Sequence, residues 1–276
     1  MRTLFFHQAR RLTWHVAGWG GVVMLVSVLV ATTYPMVVKQ AAQLMQLIRG
    51  LPPQLTAFIG DPSQFTDPHG YLALRLHSFL PFAMGLYAIV AGSALVAADE
   101  EKGFLDLLLA YPVPRLALFF ARVAALLIAM SAIALLGWVG LLMALPASGM
   151  EVEPLALLAP FVSLVGVMAC LSALALLLTN LLPSRRASAS LAGAVLVASF
   201  FLSALSRLDE RLLPFARALP LHHFDSNAQG AGLNLTNVAL LWGSTAIMLA
   251  LAAWRFQTRD IRVAGEGVLL RRRKTS

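Results

Sequence analysis

A chain of 276 residues that is 59% hydrophobic and only 12% charged is too apolar for a soluble domain, in which about a quarter of residues carry charge. Its apolar residues form long uncharged runs rather than alternating segments of about ten, which excludes a β-barrel and predicts an all-α integral membrane protein. The net charge of +8 does not call for nucleic acid, because the basic residues flank apolar runs, and the single Cys170 excludes an intrachain disulfide and a cysteine metal cluster.

Residues 1–15 set Arg2, His7, Arg10 and Arg11 among Phe5, Phe6, Leu12 and Trp14. Phe5, Ala9, Leu12 and Val16 follow helical spacing, so this stretch is expected to lie as a basic amphipathic helix among lipid headgroups at the cytoplasmic interface. A signal-peptide n-region would look similar. The apolar run behind it is long for that, with no clear small-x-small cleavage site, so the stretch is read as uncleaved.

The first span is predicted at about 16–38. Residues 39–49 have the spacing of a short helix (Ala41, Leu44, Met45, Ile48), and a Pro-rich loop follows to about residue 75. The second span is predicted at about 76–98, with Pro81 placed to kink it.

Residues 99–115 read Asp-Glu-Glu-Lys-Gly-Phe-Leu-Asp-Leu-Leu-Leu-Ala-Tyr-Pro-Val-Pro-Arg. Leu105, Leu108 and Leu109 would share one helix face, the early acids suit a helix N-terminus, and Pro112 and Pro114 would end it. Composition leaves two readings open: a short helix that receives a push from a soluble partner, or a solvated loop.

The third span is predicted at about 116–145, with Arg115 and Arg122 snorkelling at its start. A short turn carrying Glu151 and Glu153 leads to the fourth span, about 155–182. Pro183-Ser184-Arg185-Arg186 is a tight basic turn before the fifth span, about 187–206. There Ser190, Ala194 and Ala198, with Ala189 and Gly193 beside them, make a small-xxx-small face. It serves either a dimer seam or packing within the chain. Residues 207–233 hold enough apolar character to dip back into the protein. The sixth span is predicted at about 235–254. The basic tail, 257–276, ends in Arg271-Arg272-Arg273-Lys274.

Six spans put both termini on one side. Of the 21 Lys and Arg, only Lys39, Arg49, Arg75, Arg207, Arg211 and Arg217 fall on the other. The asymmetry places both termini, residues 99–115 and the Arg185–Arg186 turn in the cytoplasm, and predicts a multi-pass protein of the cell membrane.

The chemistry that is missing narrows the function. No Asp, Glu, Lys or Arg falls near a predicted midplane from the second span to the sixth, where ion-coupled carriers need such groups. There is no internal repeat, no Gly-x-x-x-x-Gly-Lys-Ser/Thr and no Gly-x-Ser-x-Gly. Glu100-Glu101 with His223-x-x-x-Asn227 resembles an intramembrane protease only loosely, because the two elements fall on opposite sides of the membrane. His222-His223 with Asp225 could ligate a metal, but adjacent histidines face different ways, and structural histidines are the better reading. No metal site is expected.

Residues 100–115 resemble the type-2 permease subunits of ATP-binding cassette exporters, in which Glu, then Gly, then a Leu-rich turn, then Pro-Val-Ser-Arg follows the second span. Here Pro114 replaces the hydroxyl residue, and Lys102 stands where Arg or Ser is frequent. Leu221-His222-His223-Phe224-Asp225, with Gly230 before the last span, is also similar to that family.

The resemblance implies six transmembrane helices, an N-terminal connecting helix and a short cytoplasmic coupling helix. Glu100, Glu101, Gly103, Leu105, Asp106, Leu108, Leu109 and Pro112 would seat against separate cytoplasmic ABC ATPase subunits. ATP and Mg would belong to those subunits, with no cofactor and no catalytic residue in this chain. A second permease copy or a homologous permease would complete the complex, and Ser190, Gly193, Ala194 and Ala198 are candidates for the dimer contact or the pathway. A non-transporting membrane scaffold is the alternative. The nearly uncharged interior favours an amphipathic or lipid-like cargo over a small ion.

Overall fold

The computed structural model describes residues 12–40, 43, 66–101 and 114–258. These residues are overwhelmingly helical with no strand, and six helices are long and apolar enough to cross a membrane. They run Leu12–Lys39, Pro68–Ala98, Arg115–Ser148, Ala156–Leu181, Arg185–Leu205 and Leu235–Thr258. The short helix expected over 39–49, the Leu-rich stretch 102–113 and most of the N- and C-terminal segments lie outside the described residues.

The second span starts at Pro68, earlier than the apolar pattern places it. Asp67 caps it, accepting a hydrogen bond from the Gly70 amide at 2.7 Å, and Pro68 occupies the first turn, where its missing N–H costs nothing. His69 and Arg75 make this turn look like loop, yet it belongs to the helix. Pro81 has no N–H for the His77 carbonyl one turn back. The chain answers there with a wide π-helical turn over Ala73–His77 and a break before the helix resumes at Leu80.

The first span holds a similar π turn at Val16–Gly20, and its helix is continuous from Leu12. The third span is 34 residues long, roughly 50 Å at helical rise, which exceeds a hydrocarbon core of roughly 30 Å. It ends at Gly149, whose φ of 63° is the left-handed conformation that closes helices. Ser184 caps the fifth span through the Ala187 amide, which makes the turn between spans four and five abrupt.

The fourth span is the axis of the bundle and the most buried. It packs chiefly against spans two and six and also touches three and five, while the first span packs on the third and the fifth on the second. Two contacts bring backbone against backbone. A Cβ at Gly92 would meet the Ser172 carbonyl oxygen at 2.4 Å, and one at Gly140 would meet that of Met24 at 2.5 Å. Glycine lets spans two and four, and one and three, approach this closely. Ser163, Ser172, Thr179, Asn180 and Thr245 are buried in the apolar interior. The last four each donate back to a carbonyl three or four residues earlier, so their burial costs little.

Candidate functional site

Two regions carry chemistry that apolar packing does not explain. The first is where spans two and three converge on residues 102–113. The helix of span two runs on to Glu101, and Glu100 is buried in its last turn. Span three then begins at Arg115.

Arg122 does not snorkel as its position predicts. It is 4% exposed, and its Nη1 donates to the Leu95 carbonyl of span two at 2.9 Å. A guanidinium that is always charged takes a backbone carbonyl here as one of its partners, where water would serve at a span end. The same stretch of span three reaches two further helices. Ala125 and Ala129 pack on Leu12 of span one, and the Phe119 ring lies 5.8 Å from Phe256 of span six. The turns that follow residues 102–113 are thus tied to spans one, two and six.

Of the predicted coupling residues, the structure places Glu100 inside this junction and Glu101 at the helix end. Gly103, Leu105, Asp106, Leu108, Leu109 and Pro112 lie outside the described residues.

The small-residue stripe of span five points away from the bundle. Ser190, Ala194 and Ala198 are exposed, and nothing lies within 4 Å of a Cβ built on Gly193. The opposite face, Ser188, Ala192, Leu196 and Ser199, is buried against the other spans.

The second region is the connection between spans five and six, at the opposite end of the bundle from 102–113. It folds back as short helical turns, Glu210–Leu212, Leu213–Arg217, Pro220–His223 and Ala228–Ala231. Ala216, Leu221 and Ala228 are buried. Its polar groups are anchored in the spans beneath. The Leu221 amide donates to Ser199 Oγ, the Asp225 amide to Ser163 Oγ, and Gln229 Nε2 to the His69 carbonyl.

Sequence order hides what joins this segment to span six. His223 Nε2 lies 2.7 Å from the Arg217 carbonyl, and its Nδ1 lies 3.1 Å from Asn237 Oδ1. Asn237 Nδ2 donates to Asp225 Oδ1 at 2.7 Å, and Asp225 Oδ2 accepts from the Asn234 amide at the start of span six. That carboxylate also faces a helix N-terminus, a favourable place for negative charge. The neighbouring His222 ring stands at right angles to His223, 5.5 Å away. Burial pushes the His222 pKa below its usual value, and the charges of His223, Arg217 and Arg207 push the same way. Among the described residues no cluster of three His, Cys, Asp or Glu could hold a metal ion.

Sequence reasoning missed Arg122 as a brace and Asn237 as a relay. Arg122 gave no signal because a basic residue near a span end normally reaches water. Asn237 lies 14 residues from His223 in the chain, and no motif couples them.

A six-span bundle with buried ties at one end and an anchored hairpin-like segment at the other defines a polytopic membrane protein without an ATP-binding motif. A family model described as ABC-2 family transporter protein matches residues 19–261, the greater part of the chain. The chain belongs to that family and is a permease subunit of an ABC transporter. No curated protein matches it.

Proposed function

We propose that this chain is the membrane half of an exporter, driven by ATP hydrolysis on separate cytoplasmic ABC ATPase subunits. Residues 100–111 are the coupling helix seated in the ATPase. The drive is mechanical: closure of the ATPase dimer moves the coupling helices, and the spans shift between inward- and outward-facing packings. Leu105, Leu108 and Leu109 supply apolar contact, and Glu100, Glu101 and Asp106 set register at its rim. A second permease copy or a homologous permease completes the pathway, with both termini in the cytoplasm. The cargo is amphipathic or lipid-like, in keeping with spans that carry few charges away from their ends.

The observation that carries this reading is the junction around Arg122. A push on residues 102–113 enters a stretch of span three already tied to spans one, two and six, so it would move four helices rather than bend a loop. Co-expression with a candidate ABC ATPase tests the proposal. The ATPase should co-purify with the full chain and be lost when residues 99–111 are deleted. Leu108→Asp or Leu109→Asp should uncouple ATP hydrolysis from transport. Normal association and stimulation in those variants would overturn the coupling role.

A further inference from the structure

The geometry points to a one-proton binding site shared by His223 and Asp225 through the amide of Asn237, which latches the segment between spans five and six against the bundle. The argument is a count of donors and acceptors. The Arg217 carbonyl can only accept, so His223 Nε2 must carry a hydrogen. The ionised Asp225 carboxylate can only accept, so it requires the amide nitrogen of Asn237. Asn237 Oδ1 then faces His223 Nδ1, which must also carry a hydrogen. In this arrangement the ring is an imidazolium.

Turning the amide over does not remove the demand. Its nitrogen would then satisfy a neutral ring, but its oxygen would face the Asp225 carboxylate, and that contact needs a proton on the carboxyl. In either orientation the chain of contacts holds one proton more than a neutral imidazole and a carboxylate supply. Without that proton, one link becomes acceptor against acceptor.

The surrounding groups permit a single proton and little more. Within the segment itself, Arg217, Arg207 and the partly buried His222 oppose further positive charge, and Asp225 offsets the first. From the neighbouring spans, Ser199, Ser163, Asn234 and Asn237 face the segment with uncharged groups, and the titratable rings of His69 and His77 in span two meet it at Gly230 and Ser226, away from the His223–Asn237–Asp225 contacts.

The closed latch therefore binds a proton that the open one lacks. Linkage fixes the sign: the closed state gains as pH falls and loosens as pH rises. When it loosens, the anchors at Ser199, Ser163 and the His69 carbonyl are free to part, and the end of the bundle opposite residues 102–113 is uncovered. The site does not depend on what the chain carries.

A single substitution separates the latch from its proton. Asp225→Asn offers an amide that donates to Asn237 Oδ1 and still accepts from the Asn234 amide, so a neutral His223 satisfies every link. This variant should stay closed at all pH.

Ala216, on the fully buried side of the segment itself, reports opening when replaced by cysteine in a Cys170→Ala background. Maleimide labelling of the full chain in nanodiscs is followed from about pH 5 to about pH 9 with and without Asp225→Asn, which cancels the thiol's own titration. The ratio of the two rates should climb about fivefold toward alkaline pH, the opening expected when one partly buried polar contact is unmade. A flat ratio overturns the proposal. Nitrogen-15 histidine spectra, assigned with His223→Gln, should show both ring nitrogens of His223 protonated, or Asp225 carrying the proton, while the segment is closed. A neutral ring beside an ionised Asp225 in the closed segment overturns it as well.

Discussion

His222 and His223 are adjacent in the chain and meet different surroundings. His223 sits in a run of acceptors, whereas His222 has its pKa lowered by burial and then by nearby cations. A histidine held below its unfolded value of about 6.5 contributes fully to stability above that pH and less as pH falls through it, because the unfolded chain then binds more protons. His222→Phe should therefore flatten the acid-side loss of stability, read from melting temperatures across a pH series in detergent. Arg122 is the other residue whose chemistry is set by what surrounds it. Arg122→Met removes a charged hydrogen bond to Leu95 and should cost about 2 kcal/mol in thermal unfolding. Arg122→Lys should recover only part of this, because an ammonium is a point charge without the planar fork.

Elements are shaped by where glycine and proline fall. Gly92 lies against the backbone of Ser172, with the carbonyl oxygen 2.4 Å and Cα 2.8 Å from where a Cβ would sit. Backbone cannot swing aside, so Gly92→Ala must part spans two and four and should cost about 1–3 kcal/mol. Gly20 makes the contrast. Its nearest obstacle is Leu136 Cδ1, the flexible end of a side chain. Gly20→Ala should lower the melting temperature less than Gly92→Ala, and equal losses would show that backbone approach does not set the cost. Pro81 acts through hydrogen bonding instead. By denying the His77 carbonyl its partner it favours the wide π turn at Ala73–His77, and that turn ends with the His77 ring buried in the protein.

At the scale of the whole molecule, burial is uneven. The fourth span is enclosed, while the first, fifth and sixth are mostly uncovered by the chain itself. For span five the uncovered face includes Ser190, Ala194 and Ala198, so packing within the chain does not account for the small residues there. Pairing with a second permease through this face is expected to fail in a Gly193→Leu, Ala194→Leu double variant, read as a shift to monomer by light scattering in detergent. Unchanged oligomers would return the face to lipid. Because Gly193 has nothing within 4 Å of its Cβ position and Ala194 is exposed, neither substitution should disturb the fold of the single chain.

The sequence by itself determined that this is a six-span helical membrane protein. Span number and type follow from runs of apolar residues long enough to cross a bilayer, and that signal is local to each run. The resemblance at residues 100–115 led to the permease family for the same reason, since the residues that carry it are contiguous. Only the tertiary structure decided which polar groups meet. Arg122 and Leu95 lie 27 residues apart, and Gln229 and His69 lie 160 apart. Contacts at such separations depend on how helices pack and turn, which periodicity does not encode. The early start of span two has a local cause instead: the Asp67 cap and Pro68 outweigh the polar look of His69 and Arg75, which hydropathy alone reads as loop. Packing likewise decides the His223–Asn237–Asp225 link, in which each residue is ordinary alone and the contacts exist only in the fold.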